Sequence, residues 1–168
     1  HGIILQNGQL IDSGDIEPIV SHYLRGDSDA DNHKSWSIPE VKGEGFELLE
    51  LGVRKKGGTY DDIMRMDDEI EIYVRYRLTV PFREFHITMH MKNEQGQQMF
   101  SFCGAGHCYD RKHNAGEYEQ ICEIPANFLN YGSYAIDLYA VIDSHHSIAR
   151  DYDLVSFSVE NKANRIGT

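Results

Sequence analysis

Cysteine, basic side chains and long apolar runs are all scarce in this sequence, and each shortage excludes something. Three cysteines in 168 residues cannot all pair with one another, so a disulfide framework is not expected and a reducing compartment suits the thiols. No apolar run approaches the roughly 20 residues that a membrane-spanning helix needs. No basic, apolar, small-residue leader opens the chain, so no signal peptide is expected. With 16 Lys and Arg against 27 Asp and Glu, the net charge is −11, which argues against a phosphate-neutralising surface and so against nucleic acid as a partner. A chain this long buries about 70% of the surface its unfolded form exposes, so neither disulfide nor metal is required for folding. Composition therefore describes an acidic, soluble, cytoplasmic protein of one domain with an appendage.

The patterning divides the chain into residues 1–25, 26–43, 44–161 and a tail at 162–168. In the first piece, Ile3-Ile4-Leu5 and Leu10-Ile11 flank Asn7-Gly8, the signature of a tight hairpin. Asp12-Ser13-Gly14-Asp15 reads as a turn with a helix cap, and Ile16, Ile19, Val20, Tyr23 and Leu24 recur at helical spacing behind it. A lone hairpin and a three-turn helix bury too little to fold alone, so this piece is expected to be cut from something larger. Residues 26–43 hold Asp27, Asp29 and Asp31 among small polar residues and read as a linker. Within them Trp36 is expected to dock on the neighbouring domain.

Beyond Val41 the period becomes two. Ile70, Ile72, Val74, Tyr76 and Leu78 alternate with polar residues, as do Phe85, Ile87, Met89 and Met91, and Tyr134, Ile136, Leu138 and Ala140. Weaker strands fit residues 46–54, 98–103, 118–124 and 152–160. Turn residues such as Lys56-Gly57-Gly58 and Asn93-Glu94-Gln95-Gly96 separate them. Seven to eight short strands with no helix between them predict an all-β, immunoglobulin-like antiparallel sandwich, preceded by the hairpin and helix.

The order of several segments is informative. Leu51-Gly52-Val53-Arg54-Lys55-Lys56-Gly57-Gly58 leads to Asp67-Asp68-Glu69-Ile70-Glu71-Ile72-Tyr73, then to Glu123-Ile124-Pro125, Leu129, Gly132-Ser133-Tyr134 and finally Asp153-Leu154-Val155-Ser156-Phe157. Residues 45–160 resemble the C-terminal domain of Wzt, the nucleotide-binding subunit of ABC transporters that export O-antigen polysaccharides. Residues 5–24, with Leu5-Gln6-Asn7-Gly8 and Val20-Ser21-His22-Tyr23-Leu24, resemble the end of an ABC ATPase domain. The resemblance implies a cytoplasmic carbohydrate-binding module at the inner face of the cell membrane. Its implied partners are an O-antigen-type polysaccharide, a second copy in a homodimer that can exchange a terminal strand, and a transmembrane permease reached through the ATPase domain. No G-x-x-x-x-G-K-[ST] loop occurs, so this chain cannot itself cradle ATP.

A sugar site combines flat aromatic faces for C–H surfaces with fixed hydrogen-bonding groups for hydroxyls. By analogy with the fold, residues 70–80 and 118–124 share one sheet, and residues 84–92, 98–103, 134–143 and 152–160 share the other. The outward set of the second sheet is then His86, Thr88, His90, Asp137, Tyr139, Leu154 and Ser156. It reads either as a neutral-glycan face or as a plain solvated face or dimer contact. On the first sheet, Tyr73 and Arg75 with Arg77 oppose Glu117, Glu119 and Glu123. A cross-strand charge ladder is favoured there over a site for glycan phosphate. His145 and His146 lie in a strand connection and are secondary glycan candidates.

Other constellations carry less. His86 and His90 stand about 13 Å apart along a strand, too far to share one zinc. Cys103, His107, Cys108 and His113 match no zinc signature, and Asp61-Asp62 and Asp67-Asp68 read as solvated turn residues. No Gly-x-Ser-x-Gly elbow occurs. The expectation is a non-catalytic module with no metal and no cofactor. The alternatives are a purely structural dimerisation domain and, further off, a metal-dependent glycan-modifying enzyme.

Overall fold

A computed structural model describes residues 1–6, 8–16, 19, 31–103, 112–143 and 145–161. They form two compact units, His1–Ala30 and Asp31–Thr168.

In the first unit, β1 (Gly2–Gln6) pairs antiparallel with β2 (Gln9–Gly14). Gly8 takes a φ of 80° at the turn, a conformation glycine adopts without steric cost. Asp12-Ser13-Gly14, expected as a turn, instead pair with Ile4, Ile3 and Gly2. The expected helix is not borne out. Of its apolar positions only Ile16 and Ile19 are described, and one helix-type bond, from Ile19 N–H to the Asp15 carbonyl at 3.2 Å, marks the segment. Val20, Tyr23 and Leu24 lie outside the described residues.

The second unit is a two-sheet sandwich. Seven long strands occupy the expected regions: β5 (Phe46–Lys55), β7 (Ile70–Leu78), β8 (Phe85–Asn93), β9 (Gln98–Cys103), β10 (Gly116–Ile124), β11 (Gly132–Ile142) and β12 (His146–Glu160). Three short strands join them: β3 (His33–Ser35), β4 (Lys42–Gly43) and β6 (Met64–Arg65). One sheet runs β10-β7-β5-β3, with β4 also on β5; the other runs β6-β12-β11-β8-β9. Every pairing is antiparallel except β6 with β12. The expected division of strands between sheets is the observed one.

Alternation dictates this packing. Ile70, Ile72, Val74, Tyr76 and Leu78 are all buried while the residues between them are half-exposed, and β8 repeats the pattern. The inward sets interleave with Leu51, Val53, Ile136, Leu138, Val155 and Phe157 in a single core, as two aligned sheets require. Part of the segment expected as a linker is built into this unit. His33 pairs with Gly52, Ser35 with Glu50, and Lys42 with Glu47. Trp36 packs half-buried against the core, its N–H donating to the Leu49 carbonyl at 2.9 Å. Backbone pairing of this kind needs no apolar period, which is why composition alone reads the segment as linker. Asp62 and Asp68 cap turns, accepting from the Thr59 and Arg65 N–H groups at 2.7 and 2.9 Å.

Candidate functional site

The outward face of the second sheet gathers aromatic and hydrogen-bonding side chains. The register places His90 of β8 opposite Asp137 of β11 and Ser101 of β9, and Thr88 opposite Tyr139 and Cys103. His90 and Tyr139 are thus diagonal neighbours on one face, a spacing that aromatic side chains bridge. Their ring centroids lie 4.7 Å apart. Tyr152 of β12 adds a second phenol, its ring edge-on to Tyr139 at 6.0 Å. The platform is thus His90, Tyr139 and Tyr152, with Tyr152 about half exposed.

Tyr152, two residues beyond the Tyr139 partner Arg150 and so on the same face, stands at the start of an irregularity in β12. Ile136 pairs with Val155 and Leu138 with Asp151, so the single residue Asp137 faces three, Tyr152, Asp153 and Leu154. The extra residues bulge the strand, and bulges re-aim side chains. Asp153 has a φ of 49°, a left-handed conformation that aspartate tolerates better than most residues. Its N–H donates to Asp137 Oδ1 at 2.8 Å. Lys92 clamps the bulge from β8, with Nζ 2.8 Å from Asp137 Oδ1 and 2.8 Å from Asp153 Oδ1. Burial works to lower the Lys92 ammonium, but its hydrogen bonds to both carboxylates outweigh that and hold it above the ordinary lysine value. Burial, aided by a hydrogen bond to the Tyr152 phenol, pushes Tyr139 up.

Two expected positions on this face need correction. Asp137 lies there by register but is 4% exposed, covered by Lys92 and Asp153, so its carboxylate holds the bulge and is not presented to solvent. Leu154, expected outward, is buried at 4% and belongs to the core, because the bulge breaks the alternation of β12 at this point. His86 and Thr88 do sit on the outward parity, but His86 is toward one end, opposite Val141. Burial lowers its imidazole from the ordinary value. Thr88 donates to Cys103 Sγ at 3.5 Å. Both His145 and His146 are exposed at the β11–β12 connection. His146 pairs with Ile142, whose other neighbour is the core residue Phe85, so it sits at the sheet end and not beside His90.

The opposite outward face, on the first sheet, is a closed charge network. Arg75 meets Glu50 at 3.2 Å and Glu117 at 3.6 Å, and Arg77 meets Glu47 at 3.0 Å and Glu117 at 2.7 Å. Tyr73 is pushed up to about 12 by burial and by its hydrogen bond to Glu119. Tyr60 lies flat on His33, centroids 3.8 Å apart, over Gly52, where a Cβ would overlap its ring. The ladder expected from the sequence is therefore observed, with the cations of Arg75 and Arg77 already matched by carboxylates.

Sequence reasoning missed Lys92, Tyr152 and Asp153. The available signal was Asp151-Tyr152-Asp153, which interrupts the alternation of β12 with polar residues where a strand interior calls for an apolar one. Among the described residues no three His, Cys, Asp or Glu side chains are grouped to hold a metal. His107 and Cys108 lie outside the described residues.

No protein-family model matches the sequence, and no curated protein matches it. Among solved structures, the C-terminal domain of Wzt superposes with a TM-score of 0.63 at 12% identity, covering 79% of this chain and 84% of that one. The two therefore share a fold. A Niemann-Pick type C2 protein from Japanese carpenter ant (13% identity, 74% and 99% of the two chains, TM-score 0.44) is more distant. Chicken MD-1 complexed with lipid IVa (12% identity, 73% and 94%, TM-score 0.37) is more distant again. Scores at that level do not define a shared architecture.

Proposed function

We propose that the sandwich is a non-catalytic module that binds an O-antigen-type polysaccharide and selects it for export by an ABC transporter. The observation that carries this reading is the platform of His90, Tyr139 and Tyr152 on a fold shared with the Wzt C-terminal domain. Aromatic rings offer apolar planes to the C–H faces of sugars, while the flanking Thr88, Ser101 and His90 supply donors and acceptors for hydroxyls. The mechanism is selection: a glycan feature docks on the sheet face, which raises its local concentration beside the transporter.

Of the nine glycan candidates, His90, Tyr139 and Thr88 form the centre of the proposed site and His86 its margin. Asp137 acts from beneath by holding the bulge. Tyr73 and Arg75 belong to the opposite face, and His145 and His146 to the sheet end, so their contribution is expected to be small. The same reading carries a homodimer with exchange of a terminal strand, a permease partner reached through an ATPase domain, and a location at the inner face of the membrane. Titration calorimetry with polysaccharide from the producing strain, against an unrelated one, tests it. Heat from the cognate glycan only, abolished in H90A/Y139A, supports the reading. Unchanged affinity in that variant removes the site, and no heat from either glycan in the native protein removes the function.

A further inference from the structure

A cleft of about 570 Å³ opens on the flank of the sandwich, between residues 31–40 and the bulge of β12. Trp36, Lys34, Asp31 and Glu40 line one side, and Asp151 and Leu154 the other. Its size falls within the usual range for small-molecule sites. The walls are braced by backbone bonds. Ser156 N–H donates to the Asp31 carbonyl at 3.2 Å, and Trp36 N–H to that of Leu49 at 2.9 Å. The Asn32 amide donates to the Val53 and Tyr60 carbonyls at 3.0 and 2.8 Å. A cleft held this way needs little ordering before a ligand enters.

Two features give the cleft a chemistry. An indole borders it with only part of its surface spent on the core, and three carboxylates line it against one ammonium, Lys34, which itself lies 3.5 Å from Asp31. The lining imidazole, His33, is turned to Glu50 at 2.9 Å. The balance is negative, so it disfavours uronates and phosphates and favours uncharged rings whose hydroxyls donate to carboxylates.

The cleft and the aromatic platform are bordered by adjacent residues of β12. Asp151 lines the cleft while Tyr152, the next residue, stands against Tyr139 on the sheet face. Asp151 Oδ1 accepts from the Tyr152 N–H at 2.8 Å. Successive side chains of a strand point to opposite sides, so β12 itself separates the two surfaces.

We infer that this cleft is a second saccharide subsite for an uncharged sugar unit, and that one glycan chain runs from the Tyr139–Tyr152 platform across β12 into it. The inference rests on the glycan-binding reading above and extends it to the flank of the sandwich. Two linked subsites strengthen binding through effective concentration, without requiring high affinity at either.

Trp36 is the single tryptophan of the chain, so its emission reports on this cleft. The test titrates the full chain with size-fractionated oligosaccharides from the polysaccharide of the producing strain, neutral and acidic, following emission and calorimetric heat together. The expected result is a shift of Trp36 emission once the neutral oligomers are long enough to span both subsites. Affinity should fall about tenfold in E40Q/D151N, with the circular dichroism spectrum unchanged. Heat without any emission change, together with native affinity in E40Q/D151N, overturns the cleft and leaves the platform standing. An equal emission response to acidic oligomers overturns the selection for uncharged sugars. Absence of heat with every oligomer overturns both subsites.

Discussion

Tyr139 and Tyr152 meet edge to face, centroids 6.0 Å apart and planes at 84°, although they are not cross-strand partners. Tyr139 pairs with Arg150. Arg150 and Tyr152 are two apart on β12 and share a face, so Tyr152 stands diagonal to Tyr139 at the start of the bulge.

This contact predicts the first outcome. Y139A/Y152A should lower affinity for the cognate polysaccharide about tenfold or more, since a well-placed aromatic contributes about 1 kcal/mol beyond its area. Both residues are at least partly exposed, so the far-ultraviolet circular dichroism spectrum should not change. Calorimetry on the variant checks the prediction, and full affinity would contradict it.

Lys92 is expected to matter through the bulge. Its side chain is 17% exposed and Asp137 only 6%, so K92M strands a buried carboxylate. Breaking a buried pair on one side costs about 3 kcal/mol. Urea unfolding should show that loss, and K92M/D137N should recover part of it because the stranded charge is gone. Equal stability of K92M and the native protein would show that the clamp carries no load.

The His86 imidazole is lowered by burial, so the folded state binds its proton less readily than the unfolded chain, whose value is about 6.5. Stability from keeping it neutral is therefore complete above that pH and is lost as pH falls through the folded value. Proton NMR of the ring should give a midpoint below 6.5. H86Q should flatten the acid side of the stability curve, and a midpoint at or above 6.5 would refute the assignment.

Gly52 makes room for Tyr60. The Tyr60 ring stacks on His33 at an interplanar angle of 8°, over the position a Gly52 side chain would fill. G52V should displace the ring and destabilise the sandwich by about 1–3 kcal/mol, as overpacking generally does. Thermal unfolding measures this, with Y60A/G52V as the relieved control.

The opposite sheet separates binding from architecture. Arg75 and Arg77 are matched by Glu47, Glu50 and Glu117, so R75A should leave glycan affinity unchanged. Tyr73, pushed up to about 12, keeps its proton in the folded state at pH 11, where an unfolded tyrosine has largely lost it. That difference reduces stability as pH rises above about 10. Spectrophotometric titration should show one late-ionising phenol that disappears in Y73F.

The long strands were legible because alternation is a local property. A residue in β7 or β8 either faces the core or does not, and Ile72, Val74, Ile87 and Met89 announce this by type alone. The charge ladder was legible for a related reason: once β7 and β10 share a sheet, register sets Arg75 and Arg77 opposite glutamates. The short strands β3, β4 and β6 were not legible, since two or three residues hold their place by backbone bonds that any side chain permits. Gly43, packed against the Ile148 carbonyl where no Cβ fits, shows its role only when both strands are present. The bulge, the Lys92 clamp and the Trp36 cleft belong to the same class. Each joins residues from strands far apart in the chain, such as Lys92 with Asp153 and Trp36 with Asp151. Sequence by itself determined which side chains of the regularly alternating strands are core and that two sheets enclose them, but not Leu154 at the bulge. Only the tertiary structure decided which polar and aromatic groups meet on the surface, because surface side chains have no period to obey and depend on register and bulges.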